Sequence, residues 1–357
     1  MLADLDYFFA QCEEKRDPDL KSKPVVVCVY SGRTVESGAV STANYIAREY
    51  GVKSGMPIFL AKKKLQNTNA TFLPVDHEFY KMISNRIMAI LKDHADRFEQ
   101  VSIDEAYLDV SQKVNGEFEA AKQLAQDIKN IIEAQERITC SIGIGPNKLI
   151  AKIASDSEKP DGLTVVRPTQ VEGFLSSLSV DRLIGVGKKT TERMKALGIN
   201  TIGELAMFDV VRLREIFGKN LGDYFHNASL GLDNEDVQER GEAESISRIA
   251  TLRQDTRELQ IILIKTKELC ADIHFSAMRR KLAFRSVGII AIMADLTVHT
   301  RSKTLDTPTI EMATLETVVK ELLERFLADS SLEIRRIGVK VSAFETWKDK
   351  KTLMEYT

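Results

Sequence analysis

Cysteine is scarce in this sequence: Cys12, Cys28, Cys140 and Cys270 are the only four in 357 residues, far apart and without a CxxC pair. That rules out a disulfide scaffold, argues against a structural zinc site and suits a reducing, cytoplasmic setting. Long apolar runs are missing too, and the opening MLADLDYFF has no basic flank of the signal-peptide kind, so no membrane attachment is expected. An excess of positive charge is also absent: 50 Lys and Arg face 52 Asp and Glu, for a net charge of −2. A chain of this balance can hold a polyanion only with segregated basic patches.

The composition is that of a globular protein, and the length exceeds one core, so roughly two to four domains are expected. Residues 17–51 are rich in turns and small side chains and read as a small module with the strand PVVVCV (24–29) and one or two short helices. In 74–98, Phe79, Met82, Ile83, Ile87, Ile90 and Leu91 recur at helical spacing. QVSIDEAYLDV (100–110), an amphipathic helix at 121–136, the strand ITCSIGIG (138–145), a short helix at 147–155 and the strand LTVV (163–166) follow. This alternation predicts an α+β sheet with helices on one face. Residues 167–230 carry helices and no convincing strand, and LDNEDVQERGEAE (232–244), with almost no apolar anchor, reads as an exposed linker. Beyond it come a strand (246–252), a helix (256–281), strands at 285–296 and 298–305, a helix (313–328) and a strand (334–344). That βαββαβ order is the split arrangement of ferredoxin-like domains, so two independently folding parts are expected.

Asp104 and Glu105 are adjacent, and adjacent residues of a continuous strand point to opposite faces. Both can serve one site only if the chain reverses there. The flanks FEQVSI and AYLDV are strand-like and Asp tolerates turn geometry, which predicts a hairpin presenting two carboxylates at its tip. Asp4 and Asp6, two apart in a short apolar run, share a strand face. Oxygen donors gathered this way suit Mg²⁺, and two such ions roughly 3.5–4 Å apart stabilise both the attacking and the leaving oxygen of a phosphoryl displacement. Taken singly, each of these acids reads far more readily as an ordinary turn or strand-end residue than as a ligand, and spacing does not separate Asp4 from Asp6.

DLDYFFAQCEE (4–14), SGAVSTANYIAREYGVKSGMP (37–57), SIDEAYLDV (102–110) and SIGIGPNKLIAKIASDSEKPDGL (141–163) occur in one order along the chain. Together they resemble the Y-family (translesion) DNA polymerases, with the DinB, or DNA polymerase IV, branch nearest, over essentially the whole length. The resemblance implies an α+β multidomain, right-hand polymerase. Its ferredoxin-like palm would span 1–7 and 74–166, with small fingers at 8–73 and a helical thumb with a helix–hairpin–helix at 167–231. The linker would be 232–244, a βαββαβ little finger 245–345 and a C-terminal tail 346–357. It also implies template-directed addition of deoxynucleotides to a primer 3′-OH, with low fidelity, lesion bypass and no proofreading exonuclease. Two Mg²⁺ ions would be held by Asp4, Asp104, Glu105 and the Leu5 carbonyl, with Asp6 outside the ligand set. Only three residues precede Asp4, so a weakly paired first strand and a loosely supported Asp4 are expected.

The same resemblance assigns Tyr7, Phe8, Phe9, Thr42, Tyr45, Arg48 and Lys159 to the nucleotide, with Phe9 as the steric gate whose ring collides with a 2′-hydroxyl. The residues alone give a blander picture, a solvated Arg48 beside Tyr45 on one helical face and three aromatics in the core. Val29, Ala39, Ser41 and Gly55 map around the nascent base pair, where small side chains leave discrimination largely to base pairing itself.

For DNA, RLIGVGKKTTERMKALGI (182–199) resembles a helix–hairpin–helix in which Gly185, Gly187 and Lys188 meet a phosphate. Ile184 stands where the pattern often has Pro, so a less rigid hairpin is expected. IRRIGVKVSAF alternates Arg336, Gly338, Lys340 and Ser342 with apolar residues, and Arg248, Arg253, Arg301 and Lys303 lie on or beside the other strands. Given the family, these form a basic sheet face along primer–template DNA; otherwise they are a solvated surface. The acidic linker is expected to bind DNA poorly. Leu353 and Tyr356 have the spacing of a sliding-clamp peptide without its glutamine and aromatic pair, and a frayed end is the simpler reading. A monomer is expected. Two other classes remain: a nucleotidyl cyclase on a related palm, which needs no helix–hairpin–helix, and a silent DNA-binding scaffold, which needs no carboxylate set.

Overall fold

The computed structural model describes residues 1–239, 241 and 244–347. In chain order the first elements are β1 (Leu2–Leu5), α1 (Phe8–Arg16), β2 (Val25–Tyr30), β3 (Gly38–Ala43), α2 (Tyr45–Glu49), α3 (Ile58–Lys64), β4 (Thr71–Pro74) and α4 (His77–Asp93). Then come β5 (Arg97–Gln100), β6 (Glu105–Asp109), α5 (Phe118–Glu136), β7 (Cys140–Ile144), α6 (Lys148–Ser155) and β8 (Leu163–Val165). Five helices follow: α7 (Val171–Ser176), α8 (Lys188–Ala196), α9 (Ile202–Met207), α10 (Val210–Phe217) and α11 (Lys219–Ser229). The chain ends with β9 (Ser245–Thr256), α12 (Leu259–Arg279), β10 (Leu282–Met293), β11 (Val298–Thr309), α13 (Met312–Asp329) and β12 (Ile334–Thr346). Two compact units result, one formed within 1–28, 40–56 and 60–240, the other within 29–39, 57–59 and 241–357.

The first unit is organised by a five-stranded sheet of order β5-β6-β1-β7-β8. The expectation of a weak first strand is corrected here. β1 is short, but it is the central strand, antiparallel to both β6 and β7 and buried along its whole length. A strand with ladders on both sides has no free edge from which to fray. On one face, α4 and α5 cover Ala3, Leu5, Leu108 and Ile142. Their buried residues, Ile83, Ile87 and Leu91 on α4 and Ala121, Ala125, Ile128 and Ile132 on α5, fall three or four apart, the stripe a sheet-facing helix needs. Asp76 starts α4 by accepting the Phe79 N–H at 3.1 Å.

Leu2, Asp4, Glu105 and Tyr107 point the other way, because cross-strand partners Leu2–Tyr107 and Asp4–Glu105 share a face. There α6 lies on the sheet, with Ala151 against Leu2 and Tyr107. Gly143 permits this approach: a β-carbon on it would overlap the Ala151 carbonyl and the Ser155 amide. Asn147 caps α6 through the Ile150 N–H at 3.0 Å. Helices α7 to α11 pack around Leu175, Ile202, Leu205, Leu213 and Phe225, with no strand among them.

The linker is exposed, as expected, but it is tied to the first unit. Asp233 accepts the Leu149 N–H at 3.0 Å, Glu235 reaches Lys148 at 3.4 Å and Glu239 reaches Lys92 at 2.5 Å. Val237 packs beside Leu2, Tyr107 and Ala151. Its acids find bases on the first unit, which the linker's own sequence does not reveal.

The second unit has the expected βαββαβ order, folded as a four-stranded antiparallel sheet, β11-β10-β12-β9. Val287, Ile289, Ile337, Val339 and Val341 bury one face under Leu269 and Ile273 of α12 and Leu322 and Phe326 of α13. Among the described residues no helix is long and apolar enough to cross a membrane.

Candidate active site and nucleic-acid face

The hairpin expected at SIDEAY is present: β5 and β6 pair antiparallel, residues 101–104 turn between them, and Glu105 opens β6. Register then delivers the geometry. Glu105 sits directly opposite Asp4, and the Leu5 N–H bonds the Asp104 carbonyl at 2.8 Å. Lys152, near the middle of α6, places its ammonium 2.9 Å from Asp4 Oδ2 and 3.2 Å from Glu105 Oε1. Lys159 takes the other Asp4 oxygen at 2.7 Å. Asp156 backs both lysines, 3.6 Å from Lys152 and 2.9 Å from Lys159. Asp104 is held separately, its Oδ1 accepting the Ser102 hydroxyl at 2.5 Å. The structure thus brings Asp4 and Glu105 together and leaves Asp104 at the tip beside them.

Burial raises the Glu105 carboxyl above its ordinary value, Lys152 pulls it back, and Asp4 adds to the rise. Burial works against the Lys152 ammonium, but Asp4 and Glu105 outweigh it and the net shift is upward. Two carboxylates already converging on one cation position are a donor set that fits a hard divalent ion. Among the described residues, no ready-made group of three acids is gathered around a single point.

Asp6, which the resemblance leaves outside the ligand set, is buried in hydrogen bonds of its own. It is 1% exposed, and its oxygens accept the Ser141 hydroxyl (2.7 Å), the Thr139 hydroxyl (3.0 Å) and the Asp161 N–H (2.9 Å). A carboxylate so fully engaged ties β1 to β7 and to the loop bearing Lys159. Lys129 of α5 fastens that loop from below, bonding the Cys140 and Asp161 carbonyls at 2.7 and 2.8 Å.

Around the predicted nucleotide pocket, Tyr7 and Tyr45 meet edge to face with centroids 5.2 Å apart. Arg48 stacks over the Tyr45 ring at 4.7 Å and bonds the Ala43 carbonyl at 2.9 Å, while Thr42 lies near the end of β3. Burial raises the Tyr45 phenol, and the Arg48 charge opposes that rise. Phe9 is half-buried and stacked on Tyr80, with ring centroids 4.5 Å apart. Phe8 is the exception. Its ring is 2% exposed within the core, so its side chain is withdrawn from any nucleotide.

Sequence reasoning missed Lys152, Asp156, Glu14 and Asn44. Buried Asn44 accepts the Val25 and Ala47 N–H groups at 3.0 Å and donates to Glu14 at 2.9 Å; Tyr7 donates to the other Glu14 oxygen at 3.3 Å. A signal for Lys152 did exist: Lys148 and Lys152 are four apart, on one side of the helix expected at 147–155.

In the hairpin before α8, Gly185 adopts φ +81°, a left-handed conformation open to glycine, while Gly187 caps α8 and Lys188 begins it. The weakness expected from Ile184 is compensated, since Tyr224 donates its hydroxyl to the Ile184 carbonyl at 2.8 Å.

The basic sheet face needs correction. Arg336 and Lys340 do lie on the open side of β12, but Val339 pairs with Arg248, Ile289 with Arg301 and Val287 with Lys303. Those partners are buried under the helices, so the three basic residues belong to the helix side. There Arg248 bonds Ser276 of α12 at 3.2 Å, Arg301 lies 5.6 Å above the Phe326 ring, and Lys303 pairs with Glu321 at 2.6 Å. The open side instead carries Ser247, Ser286, Ser302, Thr304, Gly288 and Gly338. A β-carbon on Gly338 would lie 2.6 Å from Ile249. That face carries hydroxyls together with Ile249, Ile290 and Ile292 and is only sparsely cationic.

Known proteins share this architecture. Residues 3–156 match the impB/mucB/samB family, residues 243–353 the C-terminal domain of that family, and residues 181–233 a thumb domain described for DNA polymerase-iota. The chain is 47% identical to DNA polymerase IV of Nitrosopumilus maritimus, over 99% of this chain and 97% of that protein. It is 44% identical to DNA polymerase IV of Methanosarcina acetivorans, over 99% and 98%. Among solved structures, a Y-family DNA polymerase chimera, Dbh-Dpo4(243-245)-Dbh, aligns with a TM-score of 0.90 at 39% identity, over 96% of this chain and 98% of that one. An insertion ternary complex of Dbh DNA polymerase aligns at 0.70 with 39% identity, over 96% and 97%. The fold and site define a right-hand polymerase of the α+β class. The chain belongs to the impB/mucB/samB family, the Y-family DNA polymerases.

Proposed function

We propose that this chain extends a primer along a DNA template, with Asp4, Asp104, Glu105 and the Leu5 carbonyl holding two Mg²⁺ ions. The chain is a DNA-directed DNA polymerase of the low-fidelity, translesion kind. The observation that carries the site assignment is the ladder pairing of Asp4 with Glu105 beside the hairpin tip at Asp104. When bound there, paired divalent ions would neutralise charge on the attacking and the leaving oxygen.

The protein's own part is positioning and charge. Arg48 and Lys159 supply cations for a triphosphate, and Tyr45, braced by Tyr7, supplies a hydroxyl to orient it. Phe9, backed by Tyr80, presents the ring on which a ribose 2′-hydroxyl would collide. Phe8, whose ring is buried in the core, offers the nucleotide only its backbone. Arg336 and Lys340 on the open face of β12, and Gly185, Gly187 and Lys188 at the start of α8, each contact the backbone of primer–template DNA without reading bases. All four cysteines are buried thiols, which suits a cytoplasmic enzyme. The clamp peptide considered for 350–357 lies outside the described residues.

Primer extension with Mg²⁺ tests the assignment. Asp104→Ala is expected to lose extension by roughly 10³-fold while binding primer–template normally by fluorescence anisotropy. Extension at the wild-type rate would remove Asp104 from the chemistry.

A further inference from the structure

Both oxygens of Asp4 are taken by ammonium groups, Lys159 on one and Lys152 on the other, and Lys152 also reaches Glu105. Asp4 is only 8% exposed, and a carboxylate so enclosed is strongly destabilising without a counter-charge. Lys152 supplies it from a fixed platform. The Asn147 cap and the close approach over Gly143 hold α6 on the sheet, so the Lys152 stem is anchored and only its flexible end is free to move. A cation entering at Asp4 must therefore displace an ammonium that is already there. Asp156 provides somewhere to go: it is 3.6 Å from Lys152 and 2.9 Å from Lys159, one helical turn beyond Lys152.

We propose that Lys152 is a built-in counter-cation of the acidic cluster, holding Asp4 and Glu105 together without metal and withdrawing toward Asp156 when a divalent ion enters. This rests on Asp4 and Glu105 being metal ligands. Lys152 then sets how much divalent ion the enzyme needs. It is a positioning residue: it gathers two carboxylates on opposite strands into the arrangement a divalent ion takes over, and its displacement opposes binding. Lys159 shares the arrangement on the outer oxygen of Asp4, where the triphosphate it is assigned to would draw it away. Metal and nucleotide then help each other in, since each removes an ammonium from the same carboxylate.

Mn²⁺ titration of the full chain, without DNA or nucleotide and followed by electron paramagnetic resonance of the free ion, tests this directly. Lys152→Met is expected to bind Mn²⁺ about tenfold more tightly than the wild type, because the competing ammonium is gone. Its thermal midpoint in EDTA should fall, and the midpoint recovered on adding Mn²⁺ should exceed the recovery in the wild type. Asp156→Asn should shift affinity the opposite way, several-fold weaker, because the displaced lysines lose their alternative carboxylate. It serves as the test should Lys152→Met fold poorly. Mn²⁺ affinity unchanged or weakened in Lys152→Met, or unchanged in Asp156→Asn, overturns the proposal. Asp4→Asn separates the two levels. If it leaves Mn²⁺ binding intact, the ligand assignment falls and this inference with it; if it abolishes binding while Lys152→Met has no effect, only the role of Lys152 is wrong.

Discussion

Asp4 and Glu105 lie on a sheet face where lysines neutralise them at contact distance, whereas Arg336 and Lys340 lie on one shared with hydroxyls, glycines and isoleucines. The first face is closed by a helix that a glycine lets in, and every charge there is defined by its partner. The second is left open, and its cations are few. Chemistry on a triphosphate needs charges fixed in place before the substrate arrives, which a packed, mutually neutralised cluster provides. Contact with a DNA backbone needs flatness and some uncompensated positive charge, and crowding would defeat it. The difference also separates where mutations should be severe from where they should be graded.

After the loss expected from Asp104→Ala, the largest change in activity is expected at the gate. Phe9→Ala should raise ribonucleotide incorporation relative to deoxyribonucleotide by roughly 10²-fold, because the clash is removed and no hydrogen bond has to be rebuilt. Single-turnover incorporation of the two sugars opposite one template base measures this, and an unaltered preference for deoxyribose would refute the gate. Next is Asp6, which tests whether the packed sheet relies on its buried acceptors. Asp6→Ala strands the Ser141 and Thr139 hydroxyls and the Asp161 N–H, and should cost roughly 3 kcal/mol in urea unfolding. A loss below about 0.5 kcal/mol, the usual range for surface changes, would mean that water replaces those contacts.

The comparison breaks or holds most directly on salt dependence. Each cation that meets a phosphate adds about 1 to the slope of log affinity against log salt. Arg336→Ala and Lys340→Ala should each lower that slope by about one. Arg248→Ala and Lys303→Ala should leave it nearly unchanged, because Ser276 and Glu321 already hold those side chains on the helix side. Equal slopes for all four variants would erase the distinction between the two sides of the sheet.

The hairpin at Asp104 was legible in the sequence because turn chemistry and flanking strands are local, and the βαββαβ order was legible because its periods are long. What could not be read was register. VHTRSKTL alternates as a strand should, but nothing in it says which set faces the helices. On the edge strand β11 the helix side is also a rim. Arg301 and Lys303 reach solvent there while pairing with α13, so a basic, exposed set need not be the open face. Lys152 was missed for a related reason. Its helix was expected, but that it lies across Asp4 depends on Gly143 and on the pairing of β1 with β7. The inward turn of the Phe8 side chain was not legible, because three consecutive aromatics cannot all face one pocket. Where α1 begins decides which of them turns inward.

The smallest effect concerns an ion pair remote from the chemistry, and it sharpens the contrast by its sign. Glu136 is buried between Arg86, at 2.7 Å, and Lys15, at 2.5 Å. The Arg86 hydrogen bond holds its carboxyl below the ordinary range, burial opposes that, and Lys15 reinforces it. A carboxyl depressed in the folded state stabilises fully above its unfolded value of 4.5, and that contribution disappears as pH falls through the folded value. Glu105 runs the other way: with its carboxyl raised by burial, folding holds its proton more tightly, and stability from this group falls as pH rises. Arg86 is well exposed, so the Glu136 contribution should be roughly 1 kcal/mol at neutral pH after screening. Urea unfolding of Glu136→Gln at a series of pH values should show that gap at pH 7 and its closure below the ordinary carboxylate range. A gap that stays constant into acid would mean that Glu136 stabilises by packing rather than by charge.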